Sequence, residues 1–449
     1  MSNRHKGAIV RLTNVRPHDN ADRLQCTTIL GANVVIGLNN KVGDLGIFFG
    51  DDIQLSDLFC YYNNLYSNSE LNHNTEIKGY FSENRRVKSQ RFRGEKSEGI
   101  WLPIHSLEGF PKSDSLQEGD FIDSLGGLEI CRKYINPATV KKVQTQGSQK
   151  AKKASLVPLF SQHMDTEQLN YYLAHIKDGD SLIVTEKLHG TSGRCGKTLA
   201  IRQKSWFERV LNKLGVKTPD TEDKFVVGSR TVIKQIGEEV TTSPGYCTFD
   251  IWSESAKRFE HLLHNGETVY YEIVGYLPNG QPIMNTQSNE KLKNLLNKDE
   301  YQTFIDHFGP TTIFSYNCAP NEYEVYVYRI SITSSDGREY DLSWDQVKER
   351  CYEMGVQHVP ELDRGVFGRK TFKNGNVKLT IGNLPFEIHI DVLRDKPSEI
   401  FPDHVKEGVC VRIDNRIRPK MLKSKSFIFK CLEGIIKESN AEDIEESQG

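Results

Sequence analysis

The chain predicts an α+β protein in two parts: an all-β region, then a mixed α/β region with antiparallel sheets. Short apolar runs separated by Gly, Asn and Asp turn signals fill residues 6–125. Beyond residue 154, helical and strand periods alternate. A basic, polar stretch with no hydrophobic period lies between them. The 449 residues suffice for two or three domains with a substantial core, and 37% hydrophobic content fits a soluble globular protein.

In the first part, Ala8–Val10, Val34–Ile36, Ile47–Phe49 and Ile100–Leu102 read as strands of a small barrel, with a longer insertion over 57–85. Basic and aromatic residues mix at Phe81, Arg85, Arg86, Lys88, Arg91, Phe92 and Arg93, a pattern that fits contact with a single strand or a nick flank. The linker, 131–153, carries Arg132, Lys133, Lys141, Lys142, Lys150, Lys152 and Lys153. It is a solvated tether or a strip that tracks a phosphate backbone.

In the second part, Leu169, Tyr172, Leu173 and Ile176 recur at helical spacing, as do Phe207, Val210, Leu211 and Leu214. Ser343-Trp344-Asp345-Gln346 forms a capping box for another helix, and Asp165 or Thr166 is placed to cap the first. Strands are predicted at Ser181–Thr185, Phe225–Val227, Thr268–Val274, Glu324–Thr333 and Val409–Ile413. The acidic tail, 439–449, reads as disordered.

A net charge of −2 supplies no global field for nucleic acid, so such a partner must be met locally. Nine cysteines without a C-x-x-C pair predict free thiols in a reducing compartment. With no apolar signal stretch or membrane-length run, an intracellular, soluble protein with no membrane partner is expected.

The chemistry centres on Lys187-Leu188-His189-Gly190-Thr191-Ser192, directly after an apolar strand. A lysine there suits covalent attack on a nucleoside triphosphate. At a reference pKa of ~10.4 it is protonated, so burial or a neighbouring cation must depress it. A divalent metal, Mg or Mn, would supply that cation and calls for carboxylate ligands. Glu272 and Glu407 are the candidates, each set in an apolar strand where an acid costs stability unless paired or ligating. Lys423 and Lys425 alternate on one strand face, placed to grip a phosphate or simply solvated.

In order along the chain, Lys187–Gly190, Ser229-Arg230-Thr231, Glu272 with Gly275, Tyr326–Ile330, Glu407–Val409 and Lys423 with Lys425 resemble the motifs of covalent nucleotidyltransferases. That superfamily holds DNA ligases, RNA ligases and mRNA capping enzymes. DNA ligases and capping enzymes usually carry Asp at the position of His189, so the K-x-H-G-T form is similar to RNA ligases of the repair and editing group. His18–Gln25 and Arg93–Gly99 resemble the oligonucleotide-binding (OB) fold of tRNA-binding modules. Placed before the catalytic region, this gives the arrangement of RNA ligase family 5.

The resemblance implies an OB-like barrel over 1–130 and an ATP-grasp-like adenylylation domain over 154–438. It implies an ATP-dependent ligase of RNA ends, in a nicked RNA duplex or RNA:DNA hybrid, acting as a monomer in RNA repair. Lys187 would become AMP-lysine, Glu186 would read adenine, and Gly190 would admit the nucleotide backbone. Arg230 would meet the ribose or the RNA 5′-phosphate, and Tyr328 or Tyr326 would stack on adenine. Glu272 and Glu407 would orient ribose and metal waters, and Lys423 and Lys425 would hold the α-phosphate. The alternatives are a DNA ligase, a GTP-using capping enzyme, or a nucleic-acid-binding protein with a degenerate catalytic domain. Deleting 1–130 is expected to impair joining more than adenylylation.

Overall fold

The computed structural model describes residues 5–135 and 156–438, apart from 165, 203, 241–248, 373–376 and 417. The linker beyond residue 135 and the tail over 439–449 lie outside the described residues.

All the apolar runs of the first part are strands. Gly7–Arg11, Leu45–Gly50 and Gly99–Pro103 pair antiparallel in one sheet, with Phe121–Ile122 at its edge. Both faces of this sheet are covered, because side chains alternate across a strand. Ile47 and Phe49 join Ile9, Ile53 and Phe59 on one side, while Phe48 joins Leu12, Val34 and Trp101 on the other. Arg16–Pro17, Leu24–Ile29 and Ala32–Gly37 form a separate three-stranded sheet.

The expected barrel is corrected here: among the described residues these sheets do not close into one. After Leu45–Gly50 the chain turns through Asp52 at a left-handed φ of 67°. Ile53–Leu55 leaves the ladder and pairs with Cys131–Lys133 instead. The expected linker therefore begins inside a strand, since Arg132 pairs with Gln54 and Lys133 with Ile53. The insertion holds a helix, Asp57–Tyr62, capped by Ser56.

The second part is built on two antiparallel sheets. Ser181–Lys187 lies between Gly408–Ile413 and Glu361–Thr371 in a seven-stranded sheet. Thr191–Ile201 lies between Thr221–Ser229 and Glu267–Gly275 in the other, which continues through Tyr323–Thr333. The chain passes from one sheet to the other within Leu188–Gly190. A core containing Ile183, Leu188, Val227, Val269, Ile273 and Trp252 unites them.

The helices differ in how well periodicity described them. Trp344–Met354 opens on the expected capping box. The first helix is only Leu169–Tyr172, followed by a 3-10 turn, and its cap residue Gln168 makes no side-chain cap bond. Thr166 therefore does not cap it, and Asp165 lies outside the described residues. Trp206–Lys213 is a helix, yet Phe207 is 58% and Leu214 74% exposed, so its apolar period marks no core.

The C-terminal helix Phe427–Glu438 packs against the first part. Arg86 Nη1 donates to the Gly434 carbonyl at 3.1 Å, and Lys430 Nζ lies 2.9 Å from Glu98 Oε1. Arg91 and Lys96 sit over the Phe427 ring, and Arg91 also pairs with Glu300 at 2.6 Å. Arg85 bonds the Leu55 carbonyl. Much of the basic segment expected to face nucleic acid thus spends its charge inside the protein.

Candidate active site

Strand register places the central lysine. Lys187 pairs with Gly408, and Gly408 pairs with Lys425, so the two lysines flank a glycine across adjacent strands. A Cβ on Gly408 would fall 2.1 Å from the Ser424 carbonyl oxygen, at a φ of 157°. Two rows along the sheet, Thr185, Cys410 and Lys423 align.

Glu407, just before this register, is fully buried and collects the nearby charge. Its Oε1 lies 2.6 Å from Lys187 Nζ and 3.5 Å from Lys425 Nζ, and its Oε2 lies 3.6 Å from His189 Nδ1. Lys425 also meets Glu433 of the C-terminal helix at 2.9 Å. Water is largely excluded, so these attractions are screened far less than surface pairs.

The turn after Lys187 is fixed from both sides. The Gly190 amide donates to Glu272 Oε1 at 3.1 Å, and Ser192 Oγ donates to Oε2 at 3.1 Å. A Cβ on Gly190 would sit 2.3 Å from the Ile273 carbonyl oxygen, so only glycine fits. The His189 amide donates to the Tyr316 hydroxyl at 2.6 Å, and the His189 ring stands edge-on to Phe314 and Phe429. The two carboxylates thus lie at opposite ends of Lys187–Gly190. Hard oxygen donors in that position fit a hydrated divalent cation carried on a phosphate chain.

Between the two sheets lies a cleft that opens to solvent. Glu186, Lys187, Arg230, Glu272, Tyr328 and Lys423 line it, together with Ser192 and Cys410. Lys425, Glu407, His189 and Gly190 are not part of this lining; Glu407 reaches it through Lys187, and Gly190 through Glu272. Of the two candidate tyrosines, Tyr328 lines the cleft and Tyr326 does not. Burial pushes the Tyr328 hydroxyl well above its usual range, with the Glu272 charge adding to the effect. Burial likewise raises the Glu186 carboxyl, whose Oε2 accepts the Glu399 amide at 2.8 Å. Cys410 is held as a thiol, pushed to about 11 by burial.

Cationic Lys187, Lys423 and Arg230 against Glu186 and Glu272 make a cleft that suits a polyanion with an aromatic base. The RNA ligase family model matches residues 180–432, more than half of the chain. The chain belongs to the RNA ligase family.

No curated protein matches this ligase. Its fold is shared with the Naegleria gruberi RNA ligase. The structure of that protein with PPi is 18% identical, with a TM-score of 0.55, covering 97% of this chain and 98% of the other. Its variants with ATP and Mn (17% identity, TM-score 0.55, covering 95% and 98%) and with AMP and Mn (16%, 0.53, 95% and 98%) are similar.

Several of the ligase's site residues carried no motif signal. Tyr316, Phe314 and Phe429 fix the His189 turn from loops and a helix far along the chain. His163, Met164 and Thr166 line the cleft, as do Trp344, Arg412 and, from within the Tyr326–Ile330 motif, Arg329. Arg329 and Arg412 are held by ion pairs to Asp341 and Asp414. No helix among the described residues is long and apolar enough to cross a membrane.

Proposed function

We propose that this ligase is ATP-dependent and seals RNA 3′-hydroxyl and 5′-phosphate ends through lysyl-AMP and RNA-adenylate intermediates, in RNA repair. The 2.6 Å pair between buried Glu407 and Lys187, which lines the cleft with Glu272, Tyr328 and Lys423, carries this reading. The ATP, Mn, AMP and PPi of the Naegleria structures support it.

In the first step Lys187, once it has lost a proton, attacks the α-phosphorus of ATP and pyrophosphate leaves. Glu407 holds the ammonium in place before that loss. Glu272 and Glu407 would hold a divalent cation, which when bound would favour the neutral amine and offset charge on the phosphates. Tyr328 stacks on adenine and Glu186 reads its edge, while Arg230 meets the ribose or the RNA phosphate. Lys423 and Lys425 stabilise the charge that develops at the α-phosphate. AMP then passes to the RNA 5′-phosphate, and a 3′-hydroxyl displaces it. The protein mainly positions groups and stabilises charge.

The division into 1–130, 131–153, 154–438 and an acidic tail is part of this reading. So is an OB-like role for the first part in engaging a nicked RNA duplex or RNA:DNA hybrid, by a monomeric, intracellular, soluble enzyme.

Incubation with α-labelled ATP and Mg or Mn should leave a stable protein–AMP adduct that Lys187→Ala abolishes. Label from GTP in place of ATP, sealing restricted to all-DNA nicks, or an undiminished adduct in Lys187→Ala overturns the proposal.

A further inference from the structure

Carboxylates and ammonium groups alternate along a path from the first part of the chain to Lys187. Glu98 Oε1 lies 2.9 Å from Lys430 Nζ, with Asp51 Oδ2 at 3.8 Å. Lys430 and Glu433 are both on the helix Phe427–Glu438, three residues apart and therefore neighbours on its surface. Glu433 Oε1 lies 2.9 Å from Lys425 Nζ, and Lys425 Nζ lies 3.5 Å from Glu407 Oε1. That oxygen is the one 2.6 Å from Lys187 Nζ.

Two ammonium groups thus share one carboxylate oxygen, and they share it unequally. Lys187 is the nearer, and Lys425 is drawn toward Glu433. The side chains of Glu407, Lys425 and Glu433 are 0%, 4% and 13% exposed, so solvent does little to weaken the competition. Removing the Glu433 charge removes its pull on Lys425, which would then close on the Glu407 oxygen that holds Lys187.

We propose that Glu433 is a positioning residue for adenylyl transfer: it holds Lys425 toward the C-terminal helix and leaves Glu407 to orient Lys187. The helix is itself anchored from the first part of the chain, by Glu98 on Lys430, by Arg86 on the Gly434 carbonyl and by Arg91 and Lys96 over Phe427. The first part thereby contributes to the geometry of the lysine site without touching the nucleotide. The proposal rests on the reading of Lys187 as nucleophile.

The test is the single-turnover rate of protein–AMP formation at saturating ATP, in the full-length chain. Glu433→Gln keeps the shape and removes the charge, and should slow the step about tenfold, the scale of one charge contact at a reacting phosphate. Glu433→Asp should recover most of that loss. In a Lys425→Ala background, Glu433→Gln should change the residual rate little, because the contact through which it acts on the site is gone. A wild-type rate in Glu433→Gln overturns the positioning role, and so does an equal loss in Glu433→Asp. A tenfold loss that persists in the Lys425→Ala background shows that Glu433 only supports the fold and also overturns it. A wild-type chain that takes no label overturns the ligase reading first, which separates the two failures.

Discussion

Glu407 Oε1 lies 2.6 Å from Lys187 Nζ while the Glu407 side chain is wholly sealed from solvent. A buried charge is tolerated only when paired, and here one carboxylate faces Lys187 and Lys425 together. Removing its charge leaves two ammonium groups facing each other across a neutral amide. Glu407→Gln should therefore lower protein–AMP formation by about 10²–10³-fold, the scale of losing one preorganised electrostatic partner. Quench-flow labelling with α-labelled ATP measures it, with circular dichroism as the check on folding. A rate within threefold of wild type removes Glu407 from the chemistry.

Tyr328 and Tyr326 separate by position. Both pack against the main core, but Tyr328 also lines the cleft and Tyr326 does not. Tyr328→Leu should raise the KM for ATP about tenfold or more, since stacking on a base contributes roughly 1–3 kcal/mol. Tyr328→Phe should stay close to wild type. Tyr326→Leu should lower the unfolding midpoint and leave the KM for ATP unchanged. The reverse pattern in steady-state adenylylation would assign the stacking role to Tyr326.

This pair also shows where sequence reading stops. The apolar runs became strands because their burial is set locally, and the ordered motifs fell on strand ends facing one cleft. On an ideal strand, Tyr326 and Tyr328 would share a face. The register with Glu267–Gly275 shifts between Tyr270 and Tyr271, so that Arg329 meets Tyr270 and Val327 meets Tyr271. Tyr328 is the extra residue, and the period of two fails across it. Barrel closure depended on non-local pairing that a turn at Asp52 redirects. Arg86 and Arg91 looked like an RNA-facing patch because charge composition does not reveal a partner such as Gly434 or Glu300, hundreds of residues away. Tyr316 and Glu433 reach the site from outside any motif. Because Glu98 and Asp51 hold Lys430, deleting residues 1–130 should slow adenylylation too, beside the larger loss of joining expected from sequence.

Gly190 is where the chain crosses between the sheets with no room for a side chain. A methyl group there would meet the Ile273 carbonyl oxygen at 2.3 Å and Glu272 Cγ at 2.9 Å. Gly190→Ala should cost about 1–3 kcal/mol by overpacking. It should also displace Glu272, which accepts the Gly190 amide, and abolish adduct formation. Urea unfolding reads the first effect and ATP labelling the second. Normal labelling in a folded Gly190→Ala protein would show that the crossover relaxes freely.

His404 makes the fold sensitive to acid. It is 2% exposed, and its ring stands edge-on to Tyr316 at 4.5 Å and to Phe314 at 5.4 Å. Burial pushes its pKa down from 6.5 to about 4, and the nearby His189 adds to the effect. A depressed histidine binds its proton more readily in the unfolded chain. Stability is therefore complete above pH 6.5, falls as the pH drops below that value, and has lost the full His404 contribution at about pH 4. A shift of this size corresponds to about 3 kcal/mol. The unfolding free energy of the wild type should fall steadily between pH 7 and pH 4.5. His404→Leu, which keeps the ring contacts apolar, should flatten that slope. Urea titrations at several pH values decide the matter. An equally steep loss in His404→Leu would place the acid sensitivity on other groups.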